Sequence, residues 1–358
     1  MSKVAVLKTK PETVIEDYKR LLDMAEFTKH IPKDKPVILK DNISWHYMFP
    51  GANTTPWQLE AVIQYLQDHG YGDISAVHNE TVVINAPKGQ RLNRLDKVYA
   101  RYGIRELMNY DPKDMKWIRY EPKAKMQALD TIFPEGIMIP DYFFGKSIVH
   151  LPTVKCHIYT TMTGAMKNAF GGLLNTRRHY THSVIHETLC DLLAIQQEIH
   201  TGIFAVMDGT TCGNGPGPRC MVPVQKDYIL ASADSVAIDC VSEHMMGLDA
   251  HAVKCVWLAH ELGLGAGKFE EIEVVGEDIR NENFGFSVGS TFASHVGHTM
   301  WFGPMRPLQK LFFHTPVVNI FILGSYLYHD YFWYRVKGMP RVREWLKTPW
   351  GRLFERYG

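Results

Sequence analysis

Lys155, His157, Thr161, Thr163, Lys167 and Asn168 fall within one stretch, residues 151–172, which reads LPTVKCHIYTTMTGAMKNAFGG. Ammonium, hydroxyl and amide groups at this density are hydrogen-bond donors for an anion, and Gly164, Gly171 and Gly172 let a ligand approach the backbone. The plain alternative is a surface loop whose lysines are solvated. Arg178, in the LLNTRRHYTHSVIHE that follows, adds a cation and a further substrate-binding candidate. Six of the chain's 17 histidines lie between positions 150 and 200. His182 and His186 stand four apart at the start of an expected helix, a spacing that lets both face one way and share a divalent metal, with His179 and Glu187 to complete the set. A helix start carrying polar histidines is the alternative.

Two further blocks carry polar side chains. Residues 207–218, MDGTTCGNGPGP, place Asp208 at an expected strand end, as an acid/base, a metal ligand or a turn cap, and offer Asn214 as a substrate-binding candidate. Pro216 and Pro218 forbid the immediate helix that a G-x-G-x-x-G dinucleotide fingerprint requires, and no Walker sequence occurs. Residues 231–239, ASADSVAID, run from strand to helix with Asp234 or Ser235 as cap and Asp239 facing inward or toward a neighbouring loop.

The elements that must position these groups alternate. Apolar runs at 4–7, 36–39, 74–77, 147–151, 203–207, 228–232 and 272–275 predict strands, and helical spacing predicts helices over 13–27, 56–66, 95–108, 185–199 and 235–246. Thr54 or Thr55 would cap the helix that Pro56 opens. Such alternation implies an α/β fold: a mostly parallel or mixed sheet flanked by helices, over residues 1–295, read as one domain or as two lobes at about 1–145 and 146–295. Ligands of open α/β sheets sit beyond the carboxyl ends of the strands, where the 151–172 loop should fall.

Residues 296–358 form a helical, aromatic and basic C-terminal extension. Positions 301–358 hold 15 of the chain's aromatic residues, and residues 311–328 contain no Asp, Glu, Lys or Arg. That run is marginal in length for a bilayer, and Pro316, Asn319 and Gly324 count against a straight span. Val342, Trp345, Leu346, Trp350, Leu353, Phe354 and Tyr357 recur at helical spacing, with arginines between them and a break at Thr348–Pro349. Two readings stand open: an interfacial membrane anchor, or a flap packed on the body or on a second copy as a homodimer.

The chain has 358 residues with 39 Lys+Arg against 38 Asp+Glu, a net charge of +1. That total hides a split, because residues 301–358 carry nine basic and three acidic side chains, leaving 30 basic and 35 acidic before them. The basic tail points at an anionic surface, and a lipid headgroup layer fits better than nucleic acid. Six cysteines stand far apart without a C-x-x-C pair, which reads as reduced thiols of a cytoplasmic protein, and the opening MSKVAVLKTK lacks the apolar core of a signal peptide.

Taken together the blocks resemble the domain-of-unknown-function family 362, on PVILKDN at 36–42, LPTVKCH and TGAMKNAFGGL, GNGPGP, and ILASADSVAIDCVSEHMMGL, with residues 263–276 as its closing strand. Asp41 stands where members usually have proline, and the chain lacks the cysteine-rich ferredoxin-like segment of many relatives, so no iron–sulfur cluster is carried over. The resemblance implies that Lys40, Asn42, Lys155, His157, Lys167, Asn168 and one of His179 or His182 line a common cleft. In that picture Lys167 binds the anion or acts as a base, His157 or His182 shuttles a proton or holds a divalent metal, and Asn168 fixes orientation.

The expected function is an enzyme acting on an anionic small molecule, one that could carry a large apolar part, by proton transfer or redox chemistry, as an oxidoreductase or a metal-assisted lyase or isomerase. Nucleophilic Ser or Cys hydrolysis ranks below these. The alternative is a non-catalytic membrane-associated carrier or scaffold that binds a metal or an anionic cofactor. The expected location is the cytoplasm, at the inner membrane face through residues 301–358.

Overall fold

The computed structural model describes residues 1–79, 81–249 and 251–358. Each of the seven predicted runs becomes a strand of one large sheet, to which β4, β8 and β9 are added: β1 (Ser2–Lys8), β2 (Val37–Asp41), β3 (Ile74–His78), β4 (Arg105–Met108), β7 (Ser147–Leu151), β8 (Thr153–His157), β9 (Thr161–Met162), β10 (Gly202–Asn214), β11 (Val222–Ser232) and β12 (Ile272–Gly276). Two other strands, β5 (Trp117–Tyr120) and β6 (Ile137–Pro140), pair separately. The main order is β12-β1-β11-β10-β7-β2-β3-β4, and β11 alone runs antiparallel to its two neighbours. The fold is α/β with a mostly parallel mixed sheet. Strands from 1–145 and from 146–295 alternate within it, so these segments are not separate lobes.

The sheet is buried on both faces, as a parallel sheet covered by helices must be. Along β1, Val4 and Val6 enter one apolar core while Ala5 and Leu7 enter the other, the period of two expected of a strand. Helices Val14–Met24, Pro56–Asp68 and Leu95–Tyr102 cover one face, and Ile185–Ile199, Ser235–Met246 and Lys254–Glu261 the other. Pro56 opens its helix under a capping box, in which Thr55 accepts from the Gln58 N–H and the Gln58 side chain accepts from the Thr55 N–H. Asp234 caps Ser235–Met246 by accepting from Val236 and Ala237 N–H. All six cysteines are free and buried.

Three boundaries differ from the sequence reading. The helix expected over 95–108 stops at Tyr102, where Gly103 takes a left-handed φ of 65°, and Arg105–Met108 adds the edge strand β4. Pro152 interrupts one strand briefly instead of ending it, so Lys155 and His157 lie on β8 and not in a loop. Strand β10 runs 13 residues through Asp208 to Asn214 in a long hairpin with β11.

The extension folds back on the body. Trp345, Trp350, Phe354 and Tyr357 join the core that covers the Pro56–Asp68 side of the sheet, Trp345 Nε1 donates to Thr211 Oγ1 at 3.0 Å, and Trp350 Nε1 donates to Asp227 Oδ1 at 2.6 Å. The amphipathic face of residues 342–357 is therefore a protein contact and not a lipid one. Thr348 does break this stretch, capping Pro349–Glu355 after Met339–Leu346.

Candidate functional site

A cavity of about 500 Å³ opens beyond the carboxyl ends of β2, β3 and β8, where a parallel sheet leaves a crevice. One side is polar and basic: Lys40, Asn42, His157, Lys167, Asn168, Arg178, His179, His182 and Arg219 line it. The opposite side is apolar and comes from the extension, chiefly Met300, Trp301, Phe313, Ile320, Phe321 and Tyr328.

The polar side is built on a buried frame. Asn168 Nδ2 donates to the Lys40 carbonyl at 2.7 Å, and Asn168 Oδ1 accepts from Asn42 Nδ2 at 3.3 Å. Asn42 Oδ1 in turn accepts from Lys155 Nζ at 2.7 Å, and Lys155 also donates to Thr153 Oγ1 at 2.6 Å. Burial drives the Lys155 ammonium far below its ordinary range, with Lys167 adding repulsion, so Lys155 serves as an internal strut. The segment Met166–Gly171 that carries Lys167 and Asn168 is held from below by Asp239, whose carboxylate accepts from Ala165 N–H at 2.5 Å and Met166 N–H at 3.0 Å. Burial raises that carboxyl to about 7 despite those donors.

The cations are unevenly neutralised. Lys40 is paired with Asp41 at 3.5 Å and donates to the Asp41 carbonyl at 2.7 Å. Asp41 also meets His78 at 3.3 Å and accepts from Tyr99 at 3.2 Å. Burial alone would raise its pKa, but His78, Lys40 and the Tyr99 hydroxyl together bring it down to about 2. Lys167, Arg178 and Arg219 form no ion pair among the described residues. Arg178 donates to the Phe170 carbonyl at 3.2 Å, and Arg219 donates to Ser325 Oγ at 3.1 Å. Lys167 has no polar partner among the described residues and lies 5.8 Å from the Phe170 ring centre. Burial, reinforced by Arg178, lowers its ammonium to about 7. Three partly desolvated cations facing one cavity are what an anionic group of more than one charge would neutralise.

Hydrogen bonds fix the histidines. His157 Nδ1 lies 3.1 Å from Tyr159 N–H and 3.3 Å from Thr160 N–H, so it must accept, and in the neutral ring the proton sits on Nε2. Burial and the nearby Lys167 keep this ring from charging. His157 thus presents Nε2–H of a neutral ring as a donor. His182 is the converse: Nδ1 donates to the His179 carbonyl at 2.9 Å, leaving Nε2 as an acceptor, and burial holds its pKa at about 3. Its ring stacks on Trp301 with centroids 5.0 Å apart. His179 places Nδ1 against the Thr176 carbonyl and Nε2 against the Phe313 carbonyl, tying this segment to the extension.

The structure separates the other expected residues from the cleft. Asp208 lies inside β10, fully buried, and its carboxylate accepts from Tyr18, Thr55, Trp57 and Thr210, which makes it a structural hub. Thr161 donates to the Ala252 carbonyl, Thr163 is buried in the frame, and Asn214 accepts from the Ser287 N–H. His182 belongs to the tight-turned segment Thr176–Val184, while His186 starts the following helix, so the four-residue spacing does not put them on one helical face. No group of three or more His, Cys, Asp or Glu suited to a metal is present among the described residues.

Arg219, Tyr159 and the aromatic wall escaped the sequence reading. The one local signal was Arg219's position directly after GNGPGP. The sequence also holds a G-x-S-x-G string at 285–289. It lies in an irregular loop, not on the strand-to-helix turn of a nucleophile elbow, and Ser287 gives its N–H to Asn214.

A family model described as "Domain of unknown function (DUF362)" matches residues 37–243, more than half of the chain and the whole polar side of the cleft up to Arg219. Searches of curated proteins and of solved structures find no match.

Proposed function

The chain belongs to the DUF362 family, whose description names no reaction, and from its cleft we propose that it binds an anionic small molecule with a large apolar part and moves a proton on it. The carrying observation is Lys167: a cleft-lining lysine with no polar partner among the described residues, beside Arg178, with a pKa near neutrality. An amine held near 7 is an effective acceptor of a proton at physiological pH. In this reading Arg178 and Arg219 hold the anionic group, and His157 Nε2–H donates to an oxygen on which charge develops as Lys167 takes the proton from the neighbouring atom. Asn42, Asn168, Lys155 and Asp239 position Lys167 and touch no reacting atom. The wall of Trp301, Phe313 and Phe321 receives the apolar part and excludes water from the transfer.

Native mass spectrometry of the purified full chain, with metal analysis of the same sample, tests the reading. An anionic amphiphile that co-purifies with wild type and is lost from Lys167→Met supports it. A ligand bound equally by both proteins and recovered chemically unchanged puts a carrier in its place.

A further inference from the structure

Fourteen of the twenty exposed large hydrophobic side chains among the described residues lie between Phe292 and Met339. They include Leu311, Leu327, Phe332 and Val336, each more than half exposed and outside the lining of the cleft. A face of this size on a chain whose other apolar residues are well buried marks a contact surface. Its helices Arg306–Phe313 and Val318–Leu346 meet at 89°, and no single described helix is long and apolar enough to cross a membrane. The geometry suits an element that lies in an interface and does not span it.

Charge selects the partner. Between residues 302 and 339 Arg306, Lys310, Arg335 and Lys337 are all exposed, whereas the single acid, Asp330, is buried and accepts from Trp45 Nε1 at 2.8 Å. Two copies meeting through this face would oppose like charges without an acid to pair them. An anionic headgroup layer complements both its charge and its apolar character.

The helix Val318–Tyr326 is also a shared wall. Ile320, Phe321, Gly324 and Ser325 line the cleft, while Asn319, Ile322, Leu323 and Tyr326 line a second cavity of about 520 Å³ on its other side. Gly324 has no side chain to close the wall, and a Cβ there would meet open space.

We propose that the outer face of residues 302–339 docks on an anionic lipid surface, and that the cleft draws the apolar chain of a bilayer-resident molecule past the Val318–Tyr326 helix while its anionic group stays with Lys167, Arg178 and Arg219. The second half rests on the function proposed above; the docking step does not.

Flotation of the full chain with vesicles separates the two. Wild type should float with equal mixtures of phosphatidylcholine and phosphatidylglycerol, less so at high salt, and remain unbound with phosphatidylcholine alone. Leu327→Glu/Phe332→Glu, at two exposed sites outside the cleft, should lower the bound fraction about tenfold or more with an unchanged melting curve. Lys167→Met should float like wild type, so a failure of the cleft reading leaves docking measurable. Wild type staying unbound in both mixtures overturns docking. So does a vesicle-free dimer abolished by Leu327→Glu/Phe332→Glu in a protein that does not float, which would assign the face to a second copy.

Discussion

A Cβ on Gly164 would overlap both carboxylate oxygens of Asp239. Gly164 also holds a φ of +66°, so the chain needs glycine here twice over: to turn, and to let the backbone settle on the carboxylate that orders the Lys167 segment.

Gly164→Ala should therefore destabilise the protein by about 2–4 kcal/mol, combining the left-handed penalty with overpacking. Chemical denaturation measures the loss. Affinity for an alkyl phosphate such as dodecyl phosphate should fall with it, because Lys167 moves with the segment.

Asp239 and Glu243 are both raised by burial to about 7. A carboxyl whose folded pKa lies above its unfolded value stabilises the fold fully below the unfolded pKa, near 4, and that contribution disappears as pH rises through 7. Thermal melts should show stability falling from pH 4 to pH 7 by roughly 1–3 kcal/mol per group. Asp239→Asn/Glu243→Gln should flatten that part of the profile.

Lys167, lowered to about 7, binds an anion best when protonated. Calorimetry with dodecyl sulfonate, an anion whose charge is fixed over this range, should show affinity weakening as pH rises from 6 to 8. Lys167→Met should bind about tenfold or more weakly at pH 6, a loss of about 1.4 kcal/mol, and lose this pH dependence. If the amine acts as a base, turnover should rise over the same interval in wild type.

Trp350 is fully buried and bonded to Asp227, so Trp350→Ala should cost about 3–5 kcal/mol. Deleting residues 301–358 should likewise yield an unstable body, since the cut removes Trp345, Trp350, Phe354 and Tyr357 from its core. Circular dichroism melts of both proteins check this.

The strands and helices were legible because each carries its own period, and the Thr55–Pro56 helix start carries its own cap chemistry. The polar side of the cleft was legible as well, since Lys167, Asn168 and Arg178 are near in sequence as well as in space. Asp208 misled because a residue after an apolar run resembles a strand end, and only the β10 pairing with β11 shows that the strand continues. The apolar wall was invisible as a wall: Tyr159 and Trp301 meet the same cleft from 142 positions apart, with no local pattern to link them. The spacing of Trp345 and Trp350 is the same whether the helix faces lipid or protein, so periodicity could not choose between the two readings.

The placement of β1 has a consequence for how the chain is made. Ser2 pairs with Ile272 and Ala5 with Ala231, so β1 is synthesised well before either of its neighbours. At about 5–20 residues per second, β1 waits on the order of 10–50 s for β12 to emerge. Through that interval a strand of four buried apolar residues, Val4 to Leu7, has no partner in the sheet it will enter. Substitutions that slow closure at β11 or β12 should therefore lower the yield of folded protein while leaving the melting temperature of the purified molecule unchanged.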